Sequence, residues 1–316
     1  MLEDSKGNYW FGSWSEGVCR FDGEHLTYFT VADGLSDNQI RSIHEDANGV
    51  VWFEGGFGVS GFDGAKIVTP TTKDYSARNE WQLRPNALWF KGDGAVGPTE
   101  REAQPGVYRF DGTTFTFQAF PVVVAPSAMG AYATTGIAKG QNGRIWFATY
   151  AAVFGFDGAS FTILDDASLG LDSTTGQLHV RSVYEDQKGR LWIGNNGIGV
   201  LLREGTAVRQ FTQEQGLGKM GSHGGRTVPL PGDVAAGSPS MHRVFSIGED
   251  ATGNLWFGTV ESGAWRYDGT SVQHFGAAAG LTTPDVMGIY RDRSGTLWLA
   301  GKGVFRWNGA SFDRVF

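Results

Sequence analysis

The chain has 316 residues with 48 Gly, 22 Phe, 11 Trp and 9 Tyr, and its formal net charge is −7. Gly at about twice its ordinary share predicts many turns, and the aromatic content excludes a disordered chain. The negative charge, without any run of Lys or Arg, excludes an electrostatic grip on nucleic acid. No apolar stretch approaches the roughly 20 residues of a membrane span, and one Cys excludes a disulfide framework.

An aromatic repeat runs along the whole chain. Its centre is a Trp flanked by apolar residues, and the copies are Trp10, Trp52, Trp89, Trp146, Trp192, Trp256 and Trp298. Most copies follow an acidic turn such as Glu45-Asp46 to Gly49 and precede an aromatic turn such as Phe62-Asp63-Gly64. Asp-Gly suits tight hairpins because Gly accepts a positive φ. Each copy therefore predicts four short strands.

Four strands in each of seven copies predict an all-β fold, a seven-bladed β-propeller of four-stranded antiparallel blades forming a single domain. A β-solenoid is the alternative, but its repeats are shorter and need no Asp-Gly turn between the third and fourth strands. The expected blades are 1–37, 38–75, 76–131, 132–177, 178–240, 241–283 and 284–316. The first blade has little room for an innermost strand, so we expect this strand to be short and the chain to be a fragment of a longer one.

The repeated phrase also resembles a known family. Glu-Asp-x-x-Gly-x-Leu-Trp-Phe-Gly-Thr, as at 249–259, and Gly-Val-x-Arg-Phe-Asp-Gly, as at 17–23, resemble the two-component regulator propeller family. The resemblance implies a periplasmic or extracellular sensor domain that binds a ligand, with a signalling domain outside this chain. The sequence from Met1 to Asp4 predicts no signal peptide within the given chain.

A second resemblance is more distant. Thr252-Gly-Asn-Leu-Trp-Phe257 is similar to a phrase of the streptogramin B lyase propellers. That likeness implies chemistry with a His, a Glu and a magnesium ion, but no local motif transfers the catalytic residues to this sequence.

The repeated residues themselves have a structural interpretation. The Asp of each acidic turn stands once per blade, so we interpret it as a cap of its own hairpin rather than as a calcium ligand. The Trp residues are interpreted as packing between sheets rather than as a row that stacks on sugars. Cys19 follows Val18 in a predicted strand and is expected to be packed rather than nucleophilic. Blade three lacks the acidic turn and has 82–86 in its place.

The candidate ligand site lies at the face around the central funnel, where loops between the second and third strands meet loops between blades. Polar and aromatic residues there predict a small-molecule, peptide or glycan ligand. They are Trp14, Glu16, Gln39, Arg41, Phe57, Tyr132, Tyr150, Arg181, Asn195, Asn196, His223, Asp285 and Lys302. Segment 212–241 is expected to form a lid over this face, and segments 69–83 and 120–135 could close over the same mouth.

An enzyme acting in the same funnel, a lyase or a hydrolase, is the alternative function. His179 or His242 would then be the general base, Glu54 or Glu261 an acid or ligand, and Arg243 an oxyanion partner. These His and Glu residues could also hold a divalent cation, Mg or Ca, although no short metal-binding motif supports it. A protein-interaction scaffold that uses the rim is the second alternative.

Overall fold

The computed structural model describes residues 1–56, 58–68, 73–74, 80–91, 104–172, 174–219, 232–235 and 237–316. The chain divides into two compact units, Met1–Thr134 and Thr135–Phe316. Seven four-stranded sheets follow one another along the chain and define a seven-bladed β-propeller, which confirms the predicted fold class. Among the described residues, no helix is both long and apolar enough to cross a bilayer.

The first unit holds three sheets. Sheet one consists of Leu2–Glu3, Tyr9–Gly12, Val18–Phe21 and Leu26–Phe29. Sheet two consists of Ile40–Glu45, Val51–Gly55, Val59–Phe62 and Ile67–Val68. Sheet three consists of Leu88–Phe90, Gly106–Phe110, Phe115–Ala119 and Lys73–Asp74. Two 3-10 helices are Val31–Asp33 and Pro126–Tyr132.

The second unit holds the other four sheets, of which the first begins one residue before the boundary. Sheet four consists of Thr134–Lys139, Ile145–Thr149, Val153–Phe156 and Phe161–Leu164. Sheet five consists of Val180–Glu185, Leu191–Asn195, Val200–Glu204 and Ala207–Arg209. Sheet six consists of Val244–Glu249, Leu255–Thr259, Ala264–Tyr267 and Val272–Phe275. Sheet seven consists of Val286–Arg291, Leu297–Gly301, Gly303–Trp307 and Phe312–Arg314. Short helices are Gln141–Gly143, Phe211–Glu214 and Ala277–Ala279.

Sheet three departs from the pattern of the other six, in which antiparallel strands follow the chain order. Residues 82–87 form no innermost strand there. Pro85 lacks a backbone N–H for a strand ladder, and Asn86 adopts a φ of 64°. Lys73–Asp74, which the sequence analysis assigned to the second blade, pairs instead in parallel with Phe115 and Thr116 at the outer edge.

The Asp of the acidic turn binds the Trp of the next strand. The indole Nε1 donates to the Asp Oδ2 at 2.8 Å in the pairs Trp10–Asp4, Trp52–Asp46, Trp192–Asp186, Trp256–Asp250 and Trp298–Asp292. The other carboxylate oxygen accepts backbone N–H groups two and four residues further on, as Asp250 does from Thr252 and Asn254. The interpretation of these Asp residues as hairpin caps is confirmed, since each one fixes both its turn and its Trp.

The Glu before this Asp reaches the preceding sheet instead. Glu45 accepts the backbone N–H of Ser5 with both oxygens, at 2.9 and 2.8 Å, and Glu249 accepts that of Gln187 at 3.2 Å. Glu185 accepts the Trp146 indole N–H at 2.5 Å. Sheet four has no acidic turn of its own, so Glu185 takes the place of the missing Asp. Within each unit, the Asp therefore stabilises its own sheet and the Glu connects neighbouring sheets.

The capping Asp residues predict a loss of stability in acid. Burial raises the pKa of Asp250, but hydrogen bonds from Trp256, Thr252 and Asn254 outweigh it and hold this pKa below its ordinary value. Hydrogen bonds outweigh burial in the same way at Asp4, and the pKa of Asp4 is also below its ordinary value.

A depressed pKa in the folded state contributes stability above the unfolded pKa of about 3.9, and this stability is lost as the pH falls. We expect the free energy of unfolding, measured by urea titration, to fall between about pH 5 and pH 3, and Asp250→Asn to weaken that dependence. A flat profile would contradict this.

In six of the seven sheets, the residue opposite the Trp on the third strand is Arg or Gly, and in sheet five it is Leu202. Arg20 lies 5.9 Å from the Trp10 ring and Arg266 lies 5.8 Å from the Trp256 ring. Opposite Trp146 stands Gly155, where an added Cβ would lie only 2.3 Å from the ring carbon Cζ3. Glycine is required at this position because the Trp ring occupies the space of a side chain.

Candidate functional site

In the first unit, the predicted catalytic carboxylate Glu54 is buried. Its side chain is 2 % exposed and accepts the Ser42 hydroxyl at 2.7 Å. Burial lowers the pKa of the Lys91 ammonium group, and the neighbouring Glu54 carboxylate opposes that shift. In the same sheet, the Arg41 Nε donates to the Gln39 Oε1 at 3.2 Å. Glu54 is thus a buried partner of polar groups rather than an accessible general acid or ligand.

The other candidates of this unit lie apart from that group. Trp14 is 78 % exposed, and the backbone N–H of Glu16 donates to Ser13 Oγ in an exposed loop. Tyr132 ends a 3-10 helix and is half-buried. Trp81 donates its indole N–H to Ala119 O at 2.7 Å and stacks on Trp89, so this part of segment 69–83 packs on sheet three. Phe57 lies outside the described residues.

A register shift of the kind a β-bulge makes recurs in four innermost strands. It falls between Ile40 and Ser42, Val180 and Ser182, Val244 and Ser246, and Val286 and Gly288. The residues at the shift are Arg41, Arg181, Phe245 and Met287. Bulges are frequent next to functional sites because they redirect a side chain. The two Arg residues are predicted from the sequence, whereas Phe245 and Met287 are not, because they look like ordinary apolar strand residues.

In the second unit, the shift places Arg181 against two aromatic rings. Its guanidinium carbon lies 4.9 Å from the Tyr150 ring centroid and 4.7 Å from that of Phe245. The Arg181 Nη1 also donates to the Tyr150 hydroxyl at 3.3 Å. His179 meets the Tyr150 ring edge-on, with centroids 4.8 Å apart. Such contacts stabilise a cation without neutralising it, and they fix the position of its planar group.

A second guanidinium, that of Arg243, lies beside the Phe245 ring. Arg243 is 6.0 Å from the Phe245 centroid, and its Nε donates to Asn196 Oδ1 at 2.9 Å. Its Nη1 donates to Glu261 Oε1 at 2.6 Å, and the side chains of this pair are 30 % and 56 % exposed. The backbone N–H of Glu261 donates to Asp285 Oδ1 at 2.9 Å. Sheets five, six and seven are connected by this chain of hydrogen bonds.

Glu261 adopts an uncommon backbone conformation. Its φ is +77°, in the left-handed region, which costs a residue with a Cβ about 1–2 kcal/mol. The hydrogen bonds to Arg243 and Asp285 hold it there. Left-handed residues other than Gly are frequent at binding sites, so the strained backbone of Glu261 is typical of a binding-site loop.

Two further candidates are buried and hydrogen-bonded, and a third is exposed. His242 is 6 % exposed and its Nδ1 lies 2.6 Å from Ser240 Oγ. Asn195 is fully buried, accepts the His179 backbone N–H at 3.2 Å and donates to Ile193 O. Lys302 is exposed at the end of sheet seven. His223 and residues 220–231 of the expected lid lie outside the described residues. The beginning of that segment belongs to the protein core, because Thr212 is 1 % exposed.

The structure therefore brings together seven predicted residues and Phe245 in the second unit. We call this group the arginine–aromatic site, and it comprises Tyr150, His179, Arg181, Asn196, Arg243, Phe245, Glu261 and Asp285. Within the described ranges, no three His, Cys, Asp or Glu side chains are arranged to hold a metal ion. The site consists of fixed cations, aromatic rings and hydrogen-bonding groups.

The sheet topology defines the class of this protein as a seven-bladed β-propeller. Residues 34–53, 176–197 and 237–261 match the family model of the two component regulator propeller, which confirms the resemblance that the motif predicted. The second and third segments contain much of the arginine–aromatic site. The sequence matches no curated protein.

Several solved structures share the fold. The extracellular domain of the two-component system protein BT4673 from B. thetaiotaomicron is 19 % identical, with a TM-score of 0.62 over 96 % of this chain and 37 % of that one. Virginiamycin B lyase from Staphylococcus aureus is 14 % identical, with a TM-score of 0.54 over 86 % and 82 %. PorZ of Porphyromonas gingivalis is 14 % identical, with a TM-score of 0.57 over 96 % and 45 %. The chain thus spans about a third of the length of the BT4673 domain.

Proposed function

We propose that this chain is a sensor-type propeller whose second unit binds a polar small molecule or oligosaccharide at the arginine–aromatic site. The observation that carries the proposal is the convergence of side chains from four successive sheets. Tyr150 follows the second strand of sheet four, Arg181 lies in sheet five, Arg243 and Phe245 begin sheet six, and Asp285 precedes sheet seven. Hydrogen bonds already fix these groups, and a site fixed in advance loses little entropy on binding.

The biological setting follows from the repeats. The matching repeats are those of two-component regulators, and BT4673 is the extracellular domain of such a system. We therefore propose a periplasmic or extracellular location, with a signalling domain elsewhere in the parent protein or in a partner. Ligand binding would then be reported through that domain.

Binding fits the geometry better than catalysis does. A general acid or base must reach its substrate, yet Glu54 and His242 are both nearly inaccessible, and His179 is the one proposed base that lies at the arginine–aromatic site. Arg243 and Glu261 neutralise each other through their 2.6 Å contact. The likeness to virginiamycin B lyase concerns the fold, and no observation at the site favours a lyase, a hydrolase or a protein-interaction scaffold over a ligand site.

A binding screen tests the proposal. Thermal unfolding would be followed with neutral and acidic oligosaccharides, short peptides and nucleosides, because a ligand of the folded state raises the unfolding temperature. We expect at least one class to bind, and Arg243→Ala to weaken it about 10-fold, or about 1.4 kcal/mol, since Asn196 and Glu261 then lose their common partner. Calorimetry would measure the affinity.

The matched control is Arg209→Ala. Arg209 lies on the outer strand of sheet five and pairs with Glu214 on an exposed surface, so its removal should leave the affinity unchanged. A screen in which no compound raises the unfolding temperature would contradict the proposed function.

A further inference from the structure

On the basis of the proposed function, we infer that the ligand carries a carboxylate and that Arg181 binds it. Aromatic rings, rather than carboxylates of the described residues, surround the Arg181 guanidinium group. Among the described residues, its recorded contacts are the rings of Tyr150 and Phe245 and one hydrogen bond to the Tyr150 hydroxyl. No described Asp or Glu pairs with it. Because a guanidinium is always protonated in proteins, this half-buried side chain brings an uncompensated positive charge to the site.

Part of the hydrogen-bonding capacity of Arg181 is also unused. Its Nε atom is buried and donates to no described acceptor. A buried donor without an acceptor is unfavourable, more so when the group is charged. An anion at this edge of the guanidinium would accept from Nε and from the neighbouring Nη.

Three other arginines of the second unit differ in this respect. Arg243 donates to Glu261 at 2.6 Å, Arg190 to Asp186 at 2.7 Å, and Arg209 to Glu214. Each has a carboxylate from the chain itself. Arg181 has aromatic rings instead, which hold it in place and leave its charge available to a ligand.

The geometry and charge of the surroundings favour a carboxylate. The planar fork of a guanidinium matches a carboxylate with two parallel hydrogen bonds. Glu261 and Asp285 add negative charge near Arg243, so a singly charged carboxylate meets less repulsion than a phosphate dianion. Asn196 and His179 offer polar groups for hydroxyls or amides of the same ligand. A sugar acid and a peptide acid both have this chemistry.

The test compares acids with their neutral counterparts. Trigalacturonate and its methyl ester form one pair of probes, and N-acetyl-Gly-Glu and its diamide form the other, measured by calorimetry at low ionic strength. We expect one acid to bind the wild-type protein at least about 30-fold more tightly than its neutral partner. The pair that shows this difference identifies the ligand as a sugar acid or a peptide acid.

Variants locate the effect. Arg181→Gln should reduce the preference for the acid to about 3-fold or less, and Arg181→Lys should retain part of it because the charge stays while the fork is lost. The matched charge control is Arg209→Gln, which should keep the full preference. The comparison in the wild-type protein needs no variant, so it decides whether the ligand carries a carboxylate even if Arg181→Gln fails to fold, and Arg181→Lys then tests the role of Arg181.

The outcomes separate the two claims. Equal affinity of acid and neutral probe in the wild-type protein would overturn the carboxylate inference and leave the proposed function standing. An acid preference that survives Arg181→Gln in a folded variant would overturn the role of Arg181. Failure of all four probes and of the wider screen would contradict the proposed function and the inference together.

Discussion

Replacing Asp250 with Ala is expected to lower the free energy of unfolding by about 3 kcal/mol. The carboxylate accepts the indole N–H of Trp256 at 2.8 Å, together with groups of Thr252 and Asn254. Trp256 is fully buried, so its N–H would lose its acceptor where water cannot replace it. Urea unfolding followed by Trp fluorescence would measure the change.

The matched control is Asp268→Ala in the same sheet. Asp268 also caps a turn, accepting from the backbone of Thr270 and Ser271, but that turn is exposed and water can replace the carboxylate. A much smaller loss is expected there. Equal losses at the two positions would show that the Trp contact contributes nothing beyond the turn itself.

A methyl group at Gly155 is expected to have an effect of similar size, with Gly155→Ala lowering the free energy of unfolding by about 3 kcal/mol. The added carbon would lie 2.3 Å from the Trp146 ring, which is itself 1 % exposed and cannot withdraw. Either the strand pairing of Trp146 with Gly155 opens or the ring leaves its place. Thermal unfolding, with the fluorescence of the folded protein as a second measurement, would report both effects.

Gly136→Ala provides the comparison within sheet four. An added carbon there would meet its nearest atom, the Arg181 carbonyl oxygen, at 3.5 Å, which is an ordinary contact. Since Ala also reduces the entropy of the unfolded chain, stability should be unchanged or slightly higher. Equal destabilisation by the two substitutions would mean that the sheet rejects any side chain, not that the Trp ring occupies the space.

The sequence predicted the fold well because the repeat is local. A Trp, an acidic turn and an Asp-Gly hairpin lie within one blade, and the preferences of Asp and Gly for turns act over a few residues. The role of the Glu beside that Asp could not be predicted, because the N–H groups that donate to this Glu belong to a different sheet. The exchange of strands in sheet three has a similar cause, since Lys73–Asp74 pairs with a strand some forty residues later in the chain.

The site was predicted less completely. Arg181, Arg243 and Glu261 stand at loop and strand ends, where polar residues are informative. Phe245 lies in Val-Phe-Ser-Ile, which alternates like any buried strand, and only the register shift turns its ring toward the two arginines. His242 looked equally accessible in the sequence, yet its side chain is buried against Ser240. Side-chain direction at a strand end depends on tertiary packing.

Within each Glu-Asp pair, the Asp contacts its own sheet and the Glu contacts the preceding one, and this difference matters for the engineering of modular propellers. Glu249 contacts the turn of sheet five, and Glu185 contacts the Trp of sheet four. A blade transplanted alone therefore carries the Glu that contacts the preceding blade, but it lacks the Glu of the following blade that contacts its own turn or Trp. The exchangeable module therefore runs from one acidic turn to just past the next. Grafts cut at that boundary should retain their junctions, whereas grafts cut at the sheet edges would lose one connection at each end.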